Sequence, residues 1–148
     1  RNVMLGYYKD PEATARVIID GWFHTGDLGS VVKHNCLQFD GRKDNLIINS
    51  NCENISPEFI ENILCCADII SECLVYAEDD MLAVSVYPNY RYAEENGIED
   101  VEKAVRDAVA ETNGRLPVKM HVERVSVRRE PFDMTTTMKI KRHMHNKQ

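Results

Sequence analysis

Residues 40–45 read Asp-Gly-Arg-Lys-Asp-Asn, a stretch with no apolar side chain, and apolar patterning resumes on either side of it. A segment of this kind runs over a surface and cannot sit inside one continuous core. A domain boundary is therefore expected here, with 1–41 as one piece and 42–148 as the other. The chain's 148 residues are enough for one small domain plus part of another.

Before the boundary, Asp10-Pro11-Glu12 has the grammar of a helix start: a capping side chain, proline at the first helical position and an acid in the first turn. That helix should stop near Asp20-Gly21. Trp22 to Phe39 then reads as short strands, with Lys33-His34-Asn35-Cys36 as a hairpin turn in which Asn35 takes the positive φ.

Beyond the boundary, Leu46-Ile47-Ile48 predicts a short strand, followed by a polar loop over 49–54. Ser56-Pro57-Glu58 opens a second helix with Ile60, Ile63, Leu64 and Ala67 on one face. Glu72–Tyr76 and Leu82–Tyr87 read as strands joined through Glu78-Asp79-Asp80. A further amphipathic helix follows Gly97, with Ile98, Val101, Val105, Ala108 and Val109 inward. His121–Val127 suits a third strand. The order strand, helix, strand, strand, helix, strand predicts an α+β fold: a small three-stranded sheet with packed helices, plus a short hairpin.

Composition excludes several classes. With 43% hydrophobic and 28% charged residues the chain is globular, not disordered. No apolar run approaches the roughly 18 residues a membrane span needs, and no signal peptide is recognisable. The first residue is Arg1, which reads as an excised fragment or processed product. A net charge of −6 argues against a general nucleic-acid binder. The end is nonetheless basic, with Lys139, Lys141, Arg142 and Lys147, and reads either as a solvated terminus or as a cationic arm that meets phosphate. Five cysteines (36, 52, 65, 66 and 73) without Cys-x-x-Cys spacing fit neither a disulfide framework nor a zinc site. Cys65 and Cys66 read as buried thiols and the cytoplasm as the natural compartment. His143 and His145 read as tail residues, so no metal site is expected.

Four segments carry more than composition. They are Val3-Met4-Leu5-Gly6-Tyr7-Tyr8-Lys9-Asp10-Pro11-Glu12-Ala13-Thr14, then Gly21-Trp22-Phe23-His24-Thr25-Gly26-Asp27-Leu28-Gly29. Gly41-Arg42-Lys43-Asp44-Asn45-Leu46-Ile47-Ile48 follows, running on to Asn54-Ile55-Ser56-Pro57-Glu58-Phe59-Ile60-Glu61. Thr135-Thr136-Thr137-Met138-Lys139-Ile140-Lys141-Arg142 comes last. In this order and spacing the chain resembles the AMP-forming acyl-CoA synthetases, of the long-chain fatty acid–CoA ligase kind, within the adenylate-forming ligases.

The resemblance implies that 1–41 is the β-rich tail end of a large N-terminal adenylation domain and that 42–148 is the C-terminal lid. It implies a two-step reaction: a carboxylic acid and ATP with Mg2+ give an acyl-adenylate, and coenzyme A then displaces AMP. Asp27, with Thr25, would grip the nucleotide's ribose, whose vicinal hydroxyls suit a carboxylate. Arg42 would make a second contact to ribose or phosphate. Asp44 would be a hinge that absorbs backbone change. Lys139, favoured over Lys141, would offset the charge that gathers when two anions meet at the α-phosphate. The loop containing Ser50, Asn51 and Cys52 would face the thiol.

Two departures stand out. Cys52 occupies the place of a glycine that lets pantetheine pass, and would be strained if its φ were positive. The turn at Asn35-Cys36 lacks the usual Asp-Gly. No phosphate loop or acyl pocket can be assigned, so the chain alone is expected to be inactive. A stand-alone lid-like interaction module, or a ligase that loads a carrier protein or takes an aryl acid, are the competing readings.

Overall fold

The computed structural model describes residues 2–48, 52–137 and 139–142. These belong to two compact units, Arg1–Asp44 and Asn45–Gln148.

In the first unit Asp10 starts helix α1 (Pro11–Val17), its carboxylate accepting from the Ala13 amide at 2.8 Å. The helix stops at Val17, short of the expected Asp20-Gly21. The reason is that Ile18–Ile19 (β1) pairs antiparallel with Trp22–Phe23 (β2). Asp20 and Gly21, at φ 50° and 79°, form the two-residue turn between them, as a tight hairpin requires. The larger hairpin joins Asp27–Val32 (β3) to Cys36–Arg42 (β4). Its turn lies where expected, with His34 and Asn35 both at positive φ. This unit buries almost nothing: α1 has no buried residue, and Leu5, Tyr8, Trp22, Val31 and Leu37 are exposed.

The second unit has a true core. Ile47–Ile48 (β5) pairs with Asn54–Ile55 (β6). Helix α2 (Pro57–Leu64) is capped by Ser56, whose hydroxyl accepts from the Phe59 amide. It inserts Ile60 and Leu64 fully into the interior. Ile70–Glu78 (β7) and Met81–Pro88 (β8) form an antiparallel pair through Asp79-Asp80, at φ 49° and 62°. A short helix α3 (Tyr90–Glu95) and a longer α4 (Val101–Asn113) lead back to Arg124–Val127 (β9). That strand joins β8 in parallel, giving the sheet order β7-β8-β9. Val105 and Val109 of α4 meet Val75, Val84 and Val86 of the sheet, together with Ile55, Ile60 and Leu64. Burying each such side chain contributes about 1.5–3 kcal/mol, and the fold is the expected α+β layer.

Three local differences have physical causes. Helix α3 was not expected, since six residues are too few for a periodic signal; Asn89 nucleates it by accepting from the Tyr92 amide at 3.1 Å. Strand β9 starts at Arg124 and not at His121. Val122 is instead held on both backbone groups by the Asn113 side chain, each bond 2.9 Å. Cys65 and Cys66 are exposed at the end of α2, not buried; Cys73 is the buried thiol. The Cys65 and Cys73 sulfurs lie 3.5 Å apart, and that hydrogen bond together with burial pushes the Cys73 thiol up. No helix among the described residues is long and apolar enough to cross a membrane.

Candidate functional site

Thr25, Gly26 and Asp27 lead into β3, and Arg42 ends β4, so the antiparallel register places Asp27 directly opposite Arg42. The Arg42 guanidinium donates to Asp27 Oδ1 at 2.8 Å and, from the same nitrogen, to the Thr25 carbonyl at 2.9 Å. The Asp27 amide donates to the Thr25 hydroxyl at 3.1 Å. Gly26, at φ 74°, carries this corner, and a Cβ there would stand 3.4 Å from the guanidinium. Three of the expected nucleotide residues, up to 17 apart in sequence, thus form one cluster. Both charged side chains remain close to half exposed, at 42% and 45%. An exposed ion pair of this kind is worth only about 0–1 kcal/mol in stability. Its use is orientation: the carboxylate is held at the surface in one pose.

Asp44 lies in a single 3-10 turn, Lys43–Asn45, and is the last residue of the first unit. The Lys43 amide donates to the Gly26 carbonyl at 2.8 Å, tying the start of that turn to the Asp27 corner.

In the second unit, the loop between β5 and β6 contains the expected thiol-side residues. Ser50 and Asn51 lie outside the described residues, as do Met138, His143 and His145. Cys52 is described, is exposed, and has φ 59°. The conformation a glycine would adopt freely is here imposed on a residue with a Cβ, at a cost of roughly 1–2 kcal/mol. Cys52→Gly is expected to raise the stability of this unit by up to about 1 kcal/mol, because glycine's larger unfolded-state entropy offsets part of the relief. Denaturant melts of the two proteins, compared by midpoint at equal slope, measure it.

Lys139 lies within a turn that is bridged at its base. Met134 and Ile140 form an antiparallel bridge. The Thr135 amide donates to the Lys139 carbonyl at 2.7 Å, and the Lys139 amide donates to the Thr135 hydroxyl at 3.1 Å. The lysine's backbone is therefore fixed on both sides while the residue itself is exposed. Lys141 is half-buried, with its amide on the Asp133 carbonyl at 2.9 Å.

Of the two readings of the basic end, the solvated terminus does not hold at Arg142. Its side chain is only 19% exposed and its guanidinium pairs with Glu61 of α2, whose side chain is 14% exposed. Burial pushes the Glu61 carboxyl up, against the pull of Arg142 and of the Val75 amide, which donates to it at 2.7 Å. Sequence spacing could not reveal this pair, since its members stand 81 residues apart. Among the described residues no cluster of three or more His, Cys, Asp or Glu side chains could hold a metal ion.

Comparison with known proteins gives the chain's family and fold. The profile of the family described as AMP-binding enzyme C-terminal domain matches residues 44–148. The chain is 33% identical to long chain acyl-CoA synthetase 1 of Arabidopsis thaliana, covering 93% of this chain and 24% of the relative. It is 31% identical to the human long-chain-fatty-acid–CoA ligase 1, over 95% of this chain and 24% of the relative. It thus spans about a quarter of the length of these relatives. The fold matches the adenylation domain of a carboxylate reductase from Mycobacterium chelonae with a TM-score of 0.82 and 20% identity, over 95% of this chain and 24% of that one. It matches the O-succinylbenzoate coenzyme A synthetase of Bacillus subtilis, in complex with AMP, with a TM-score of 0.76 and 24% identity, over 98% and 28%. The chain belongs to the AMP-binding enzyme C-terminal domain family, the family of the C-terminal portion of AMP-forming acyl-CoA ligases.

Proposed function

We propose that this chain is the hinge-and-lid portion of an ATP-dependent, AMP-forming ligase that joins a fatty acid to coenzyme A. The observation that carries the reading is the convergence of Thr25, Asp27 and Arg42 on one exposed corner. There a carboxylate pre-oriented by a guanidinium is suited to accept from the two hydroxyls of a ribose. The long-chain names of its relatives support the fatty acid part. The exposed Leu5, Tyr8, Trp22 and Leu37 support a larger protein around the first unit, because apolar surface on this scale is what a neighbouring domain covers.

In this reading residues 1–41 end the large domain, 42–148 form the lid, and Asp44, where the two compact units divide, is the hinge. Lys139 faces the point where the acid's carboxylate oxygen bonds to the α-phosphorus as the bond to pyrophosphate breaks. Its ammonium offsets the negative charge that develops there. After rotation about Asp44 the loop over 49–54, with Ser50, Asn51 and Cys52, guides the thiol, whose sulfur bonds to the acyl carbon as AMP leaves. Gating of this kind keeps water from a hydrolysable intermediate. Mg2+, held elsewhere in the longer enzyme, would screen the triphosphate. The sequence carries no recognisable phosphate-loop motif, so this reading assigns catalysis of the whole reaction to the longer protein.

The test is acid-dependent ATP–pyrophosphate exchange by the full-length enzyme, with saturated fatty acids set against aryl acids. Asp27→Ala is expected to raise KM for ATP by about 10–100-fold, since hydrogen bonds involving a charged group are worth about 1.5–3 kcal/mol. An unchanged KM would remove the ribose role, and exchange with aryl acids alone would replace the fatty acid.

A further inference from the structure

The segment that carries Lys139 is suspended between two attachments on β7. At its start, Phe132 is 4% exposed and its amide donates to a Glu72 carboxylate oxygen at 2.8 Å. At its end, Arg142 reaches between α2 and β7, pairing with Glu61 and donating to the Val75 carbonyl at 3.4 Å. Glu58, one turn earlier on α2, stands 3.7 Å from the same guanidinium nitrogen. It also accepts from the side chain of Asn45, the residue directly after Asp44.

A half-buried ion pair is a poor device for stability, because desolvating the two groups can cost as much as their attraction returns, and apolar replacements are often neutral. What such a pair does well is fix a position. Arg142 follows Lys139 by three residues, a reach of at most roughly 11 Å of extended chain. Tethering the guanidinium therefore restricts where the lysine's root can stand. The bridge between Met134 and Ile140 closes the turn on itself; it does not by itself determine where the turn points.

We infer that Arg142, held by Glu61 and Glu58, is the positioning residue for Lys139, and that through Glu58 and Asn45 it ties the lysine's turn to the residue next to the hinge. The inference rests on the ligase reading above and deepens it. Arg142 touches no reacting atom in this scheme. It sets the aim of the group that does.

The experiment uses the full-length enzyme and separates adenylate formation, read by pyrophosphate exchange, from thioester formation with supplied acyl-adenylate. Arg142→Met keeps side-chain bulk and removes the charge and the planar fork. It is expected to slow adenylation by about 10–100-fold, since a misplacement on the order of 1 Å can cost about that much, with little change in thioester formation. Arg142→Lys keeps the charge without the fork and should restore only part of the rate. Glu58→Gln, a milder change, should give a smaller loss confined to the same half-reaction, and it provides the reading if Arg142→Met does not fold. Undiminished adenylation in folded Arg142→Met, equal losses in both half-reactions, or no selective loss in Glu58→Gln when it alone folds would each overturn the inference. Lys139→Ala run alongside keeps the two levels apart. If it leaves adenylation intact, the ligase role of the lysine fails first. If it abolishes adenylation while Arg142→Met does not impair it, only the positioning role fails.

Discussion

Lys139→Ala in the full-length enzyme is expected to slow adenylate formation roughly a thousandfold while sparing thioester formation from supplied acyl-adenylate. The magnitude follows from the task. An acid carboxylate and an α-phosphate are both anionic, and the developing charge on phosphoryl oxygens needs a fixed cation in a water-poor site. Losing one such donor costs about 10²–10³ in rate, and here the lost group carries a full charge. The second half-reaction starts from an adenylate whose anionic partner has already left, so the same lysine has little to offset there. Lys141→Ala is the matched comparison, being two residues away, half-buried and outside the tip of the turn. Equal loss in both half-reactions for Lys139→Ala would remove its assigned role.

Asp44→Pro is expected to act on the opposite step. The residue lies in the short turn Lys43–Asn45 at the division between the two units. Proline fixes φ near −65° and pushes the preceding Lys43 away from helical angles. A hinge works by taking different backbone angles in its two states. If one of those states demands angles proline refuses, a strain on the order of 3 kcal/mol corresponds to about a hundredfold loss. Thioester formation should fall by about that factor while pyrophosphate exchange changes little. Loss of exchange with thioester formation retained would reverse the assignment of which half-reaction the hinge serves. No effect on either would remove Asp44 as hinge.

Much of the fold was legible because its signals are local. Asp10 and Ser56 each cap a helix by accepting from a backbone amide three residues on; such caps are sequence-near by construction, whereas the helix expected straight after Gly97 starts only at Val101, behind the Asp100 cap. The Asp79-Asp80 turn and the inward face of α4 likewise follow from neighbours in the chain. The Asp27 corner was legible for another reason, since the segments that bear Thr25, Asp27 and Arg42 resemble one family in order and spacing. What escaped was set by distant partners. The end of α1 was decided by pairing of Ile18 and Ile19 with Trp22 and Phe23. The start of β9 was decided by the Asn113 amide side chain. Arg142 looked like one more basic tail residue because its partner comes from a helix far earlier in the chain. Composition near a terminus describes charge, and a buried pair is a matter of tertiary placement.

The attachment of Arg142 has a consequence beyond catalysis. In the order β7-β8-β9, β7 is an edge strand, and an open edge offers unpaired amides and carbonyls to any extended chain that drifts alongside. At Val75, in the middle of that edge, the amide is taken by Glu61 and the carbonyl by Arg142. Nearby, the Glu72 side chain engages the Phe132 amide and draws the segment before Lys139 toward the same strand. The positioning proposed for Lys139 and the covering of this strand edge thus rest on the same few side chains. A sequence change that frees the lysine's turn also uncovers a seam where a second molecule could add a strand.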